Sequence, residues 1–187
     1  MHSPVLPVST STGCRSRCPP DLPAATTHYG TDREILETAV DWLGQGHAPL
    51  LVTVVRTWGA SPRPVGSLML MRVDGMYCGS VSGGCVEEDL VQRLTAGELP
   101  DTFPTRVDYG IDSDEATRLG LPCGGRLELL VEQPEGAGAL RRLLERMQAN
   151  ELQLRRVCLS TGEVSLHPAS PADEFRYTGD VVQKVFG

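Results

Sequence analysis

The run Leu50-Leu-Val-Thr-Val-Val55 constrains this chain more than any other stretch. It is apolar except for Thr53 and β-branched from Val52 onward, which favours an extended, pleated backbone. A strand with one wet face alternates polar and apolar residues, whereas a near-continuous run belongs to a strand covered on both faces. Such a strand lies at the centre of a sheet. The rest of the chain must supply one apolar layer above it and another below.

The neighbouring segments are of the right kind. Thr31 and Glu34 fit a capping box, and Ile35, Leu36, Ala39, Trp42 and Leu43 recur at helical spacing until Gly44 and Gly46. Trp42, on that apolar face, is expected in the core. Residues 67–73 and 76–81 read as strands joined by an Asp74-Gly75 hairpin turn, with Met69 and Met71 filling one sheet face. A helix is expected from Val86 to about Thr95, its buried stripe being Val86, Leu90, Val91 and Leu94. Residues 102–109 and 126–131 read as strands. Residues 139–149 read as a helix entered through Gly136-x-Gly138, and 152–160 with 163–167 as a hairpin. Cys158 is expected to be inert core there, and His167 a surface residue. Two short strands, 175–178 and 181–186, complete the pattern. Strands interleaved with a few helices predict an α/β (α+β) fold, a mixed β-sheet with packed helices in a single domain.

Residues 1–29 are rich in Pro, Ser and Thr without hydrophobic period, which predicts a disordered N-terminal extension, with Cys14 and Cys18 as incidental thiols. A net charge of −7 over 187 residues argues against nucleic acid or an anionic membrane as main partner. Signal-peptide features and apolar runs of membrane-spanning length are both missing from the sequence. Six cysteines in a domain of this size do not suggest a disulfide framework; reduced thiols and a cytoplasmic setting are expected.

Three turns carry the chemistry. Ser82-Gly83-Gly84-Cys85 opens a helix, where unpaired amide groups and the helix dipole favour an anion, either a phosphate or the Cys85 thiolate. Glu87, Glu88 and Asp89 in the first turn compete with such an anion, and a carboxylate there could accept the Cys85 proton. Cys123-Gly124-Gly125 precedes a strand and reads as part of the same site. The stiff loop Arg56 to Gly66 holds Arg63 between two prolines, positioned to grip a phosphate or carboxylate. Asp112, Asp114 and Glu115 read as solvated loop charge, and no metal site is expected.

Val54-Val-Arg-Thr-Trp-Gly-Ala-Ser-Pro-Arg-Pro-Val-Gly66, Gly79-Ser-Val-Ser-Gly-Gly-Cys-Val-Glu87 and Leu119-Gly-Leu-Pro-Cys-Gly-Gly125, in that order and spacing, closely resemble the XdhC/CoxI family. The resemblance covers roughly residues 31–186. It implies a domain over 30–187 that acts as a maturation factor for molybdenum hydroxylases of the xanthine dehydrogenase or carbon monoxide dehydrogenase type. Such a factor binds molybdenum cofactor (molybdopterin) as cargo. It supports sulfuration with a cysteine desulfurase and delivers the cofactor to the apo molybdenum hydroxylase, and it is expected to form a homodimer. The implied site comprises Arg63, Ser82, Gly83, Gly84, Cys85, Cys123, Gly124 and Gly125, with Cys85 and Cys123 as the reactive thiols. Longer family members carry a C-terminal Rossmann half, which is expected to be absent from this chain. Two other classes compete: a thiol enzyme with Cys85 as nucleophile, for which no histidine is an evident base, and a zinc protein using Cys78, Cys85 and Cys123, whose spacing is not a zinc pattern.

Overall fold

Leu50–Trp58 (β1) is the central strand of a five-stranded antiparallel sheet, as its apolar run predicts. The computed structural model describes residues 31–59, 63–110 and 125–187. The predicted N-terminal extension, Cys14, Cys18, the acidic loop from 111 and the Cys123-Gly124 pair lie outside the described residues. Around β1 stand β2 (Leu68–Met71), β3 (Tyr77–Gly79), β4 (Thr105–Tyr109) and β5 (Arg126–Glu132), in the order β3-β2-β1-β5-β4. A second antiparallel sheet, β7-β6-β9-β8, is built from β6 (Gln153–Cys158), β7 (Val164–Pro168), β8 (Arg176–Tyr177) and β9 (Val181–Phe186). Helices α1 (Asp32–Gly44), α2 (Cys85–Thr95) and α3 (Ala137–Gln148) complete the α+β architecture. Among the described residues, no helix is long and apolar enough to cross a membrane.

Alternation along the strands explains the layers. Val52, Val54, Met69, Met71, Leu129 and Val131 face α2 and meet Val86, Leu90 and Val91. The opposite face is shared between two covers. Leu51, Leu68, Leu70 and Cys78 pack under Ile35 and Leu36 of α1 and Leu140 and Leu143 of α3. Val55 and Leu130 pack under Val157 and Val182 of the second sheet. Both faces of β1 are therefore covered, and Trp42 is in the core. The predicted capping box starts α1: Glu34 N–H donates to Thr31 Oγ1 at 3.3 Å, and Thr31 N–H donates to Glu34 Oε2 at 2.6 Å.

Two features join the layers. Val54 pairs with Leu129 and Arg56 with Glu128, so Val55 is an extra residue in β1, a β-bulge. The bulge turns Arg56 toward the second sheet, where its guanidinium lies 4.9 Å from the centre of the Tyr177 ring. Deeper in, Arg155 of β6 forms a bidentate pair with Glu132 of β5 at 2.9 and 3.0 Å and reaches Glu135 at 2.8 Å. This clamp ties β6 of the second sheet to β5 of the first.

Candidate functional site

The hairpin β2-β3 ends at Gly79, and the chain then turns through Ser80 to Gly84 into α2. Gly83 and Gly84 have φ of +97° and +154°, angles that only glycine adopts without strain. This curl aims successive N–H groups inward, and the buried carboxylate of Glu87 fills the space they face. Its Oε1 accepts from Ser80 Oγ at 2.6 Å, Val81 N–H and Ser82 N–H at 2.8 Å each, and Gly83 N–H at 3.1 Å. Its Oε2 accepts from Gly84 N–H at 2.9 Å and from Ser82 Oγ. Burial raises the pKa of Glu87, but hydrogen bonds from Ser80 and Ser82 outweigh that and hold it down at about 2.

Glu87 is thus the anion of its own turn. The amide groups of Gly83 and Gly84, read from the sequence as open to a phosphate, are taken by a side chain one helical turn ahead. Of the three acids of this turn that could accept the Cys85 proton, Glu87, with its pKa held so low, is a poor acceptor. The other two acids of this turn have different places. Glu88 is exposed, and Asp89 accepts a hydrogen bond from Tyr109 OH at 3.0 Å. Burial, together with the Asp89 charge, raises the pKa of Tyr109.

The Pro-Arg loop after β1 meets this turn, and the residue before β5 meets the end of β1. Arg63 Nε donates to Ser80 O at 3.3 Å, which ties the Pro-Arg loop to the start of the turn. Gly66 N–H donates to Val54 O at 2.7 Å and Ser67 Oγ to Pro64 O at 2.8 Å, closing the loop back on β1. On the other side, Trp58 pairs with Arg126, so Gly59 stands beside Gly125. A Cβ on Gly59 would lie 3.4 Å from Gly125 Cα. Arg63, Ser82, Gly83, Gly84 and Gly125 are therefore carried by loops at adjoining strand ends. Cys85 is the first residue of α2. Cys123 and Gly124 are outside the described residues, two and one positions before Gly125.

Cys78 does not join these loops; it is 2% exposed and packs under α1 and α3. Cys158 departs from its expected place in the core. It is half-buried at the end of β6, with Sγ 3.3 Å from Ser160 Oγ and 3.6 Å from Asp180 Oδ2. Hydrogen bonds from Ser160 and Thr161 lower its thiol pKa. What sequence reasoning missed is the Glu87 cradle. Its signature was present as Ser80 and Ser82 hydroxyls, two glycines, and an acid at the third helical position.

Residues 42–110 match the XdhC and CoxI family. The match spans the first two of the three motifs read from the sequence. Over 117 residues the chain is 38% identical to the molybdenum cofactor insertion chaperone PaoD of Escherichia coli, covering 62% of this chain and 36% of that protein. Over 85 residues it is 33% identical to a Bacillus subtilis protein described as a probable xanthine dehydrogenase component, covering 45% of this chain and 26% of that protein. The chain thus spans about a third and a quarter of the lengths of these relatives. A crystal structure of a xanthine dehydrogenase from Bacillus halodurans superposes with a TM-score of 0.61 at 24% identity, covering 83% of this chain and 52% of that one, and shares the fold.

Proposed function

We propose that this chain is a molybdenum cofactor chaperone of the XdhC and CoxI kind, with its cargo site at the junction of the three motif loops. The observation that carries this reading is the meeting of loops far apart in sequence, Arg63 on Ser80 and Gly59 against Gly125. A relative over this region is a molybdenum cofactor insertion chaperone. Cys85 and Cys123 are the thiols that hold the cargo while it is sulfurated. Thiolates suit a thiophilic metal centre, and the first position of a helix favours the charged form of a cysteine. Ser82, Gly83, Gly84, Gly124 and Gly125 shape the backbone around it. With the turn amides engaged by Glu87, the cargo phosphate is assigned to Arg63.

The proposed partners are a cysteine desulfurase, an apo molybdenum hydroxylase of the xanthine dehydrogenase or carbon monoxide dehydrogenase type, and a second copy of the chain, all in the cytoplasm. The test is retention of isolated molybdenum cofactor by the purified protein on a sizing column. Wild type is expected to retain it, and Cys85→Ala and Cys123→Ala to retain less. A wild-type protein that elutes free of cofactor overturns the reading.

A further inference from the structure

The β-bulge in β1 builds a feature that the motif reading did not use. By placing Val55 opposite no partner, it returns Arg56 and Trp58 to the face that meets the second sheet. Trp58 then lies beside its cross-strand partner Arg126, whose guanidinium is 4.8 Å from the indole centre. Arg56 is 5.6 Å from the same ring and 4.9 Å from the ring of Tyr177. The result is a row of flat groups, Tyr177, Arg56, Trp58 and Arg126, across the mouth of the sheet.

The charges of this row are layered. Glu128 lies beneath it with its side chain only 3% exposed. It accepts a hydrogen bond from Tyr177 OH at 3.0 Å and is 3.5 Å from Arg56 and 3.3 Å from Arg106. Asp108, 17% exposed, sits 3.6 Å from Arg126. The side chains of Arg56, Arg106 and Arg126 remain 47%, 51% and 42% exposed. Carboxylates thus form the buried tier and hold the arginines in place, while the surface presented to solvent is cationic and aromatic. It is local positive surface on a chain of net charge −7. Trp58 is one of few large apolar side chains among the described residues left open to water, at 39%. The row ends at Gly59 and Gly125, where the motif loops begin.

We propose that Trp58, Arg56 and Arg126 form a platform for a planar heteroaromatic ring that carries phosphate. The ligand ring stacks on the exposed side of this indole–guanidinium row, and Arg56 and Arg126 add to the charge that Arg63 presents to the anionic group. The cargo of the proposed function has this chemistry, and the inference rests on that reading for the ligand's identity. A free nucleotide has the same chemistry, so both are probes.

The test titrates the full 187-residue protein with isolated molybdenum cofactor and, separately, with GMP, by equilibrium dialysis. Indole fluorescence is followed in parallel. Trp58→Ala is expected to weaken binding about tenfold, the scale of one lost base–aromatic stack. Trp58→Phe keeps a ring and most of the affinity, but loses the ligand-induced quench, because the other tryptophan, Trp42, is 3% exposed. Arg126→Gln weakens binding and flattens its salt dependence. Its melting curve, with that of Trp58→Ala, confirms that the variants fold. Cofactor bound equally by wild type, Trp58→Ala and Arg126→Gln overturns the platform and leaves the proposed function standing. GMP bound through Trp58 with no cofactor bound keeps the platform and removes the proposed function. Wild type that binds neither probe overturns both.

Discussion

Replacing Glu87 by glutamine separates charge from shape at the turn before α2. Glutamine fills the same volume and keeps one acceptor oxygen. Its amide nitrogen, however, must face donors that the second carboxylate oxygen now satisfies, Gly84 N–H and Ser82 Oγ. A buried donor left without an acceptor costs about 1–3 kcal/mol. Proton linkage gives the same scale independently. The carboxyl pKa drops from 4.5 to about 2 on folding, a difference of about 3 kcal/mol at about 1.4 kcal/mol per unit.

The pH dependence follows from the sign of that shift. A pKa depressed by folding means that ionised Glu87 stabilises the fold fully above 4.5, and that this contribution fades as pH falls toward about 2. Urea unfolding of wild type and Glu87→Gln, at steps from about pH 7 down to about pH 2.5, measures both effects. The expected gap at neutral pH is about 2–4 kcal/mol, closing as the wild-type carboxylate protonates. The difference between the two proteins cancels the other carboxylates. A neutral-pH gap below about 0.5 kcal/mol, the scatter of an ordinary surface substitution, refutes the cradle. So does a gap that stays constant with pH, since only loss of an ionised group closes it.

Two further perturbations test the scaffold. Arg155→Met strands the Glu132 carboxylate, 3% exposed, without its counter-ion, and is expected to cost about 3–5 kcal/mol in urea unfolding; Glu132→Leu added to it should restore much of the loss. Iodoacetamide near neutral pH, followed by peptide mass spectrometry, should modify Cys158, whose thiol pKa is lowered by Ser160 and Thr161, well before Cys78, which is 2% exposed. Equal rates at the two cysteines refute that assignment.

Much of the fold is legible because it rests on local periodicity. Leu50 to Val55 announces a doubly covered strand, and Thr31 with Glu34 announces the start of α1. The stripe Val86, Leu90 and Val91 is buried as its spacing requires. What stays hidden depends on pairing partners that sequence order does not name. A bulge leaves no compositional mark, since Val55 and Arg56 are ordinary strand residues until Glu128 is known to stand opposite Arg56. Cys158 looks like core because Leu154 and Val157 are core. Its exposure comes from the strand ending there, next to Asp180, and that boundary is set by tertiary pairing with β9.

The turn before α2 was legible in its parts and not in its wiring. The glycines at 83 and 84 point to a backbone that curls N–H groups around an anion, and that inference is physically sound; the anion is an internal one. An internal carboxylate changes what the turn can do. A turn that waits for phosphate is ordered by its ligand, and its donors become free when the ligand leaves. A turn braced by Glu87 is ordered beforehand, so the backbone that leads into Cys85 needs no ligand to set its geometry. The same bracing engages the turn amides, so under the proposed function recognition of negative charge falls to arginines. Those arginines are arranged accordingly: Arg63 is tied to Ser80, while Arg56 and Arg126 are held from beneath by Glu128 and Asp108. Buried carboxylates therefore do two kinds of positioning in this fold. One fixes the thiol-bearing turn, and the others fix the outward cations beside it.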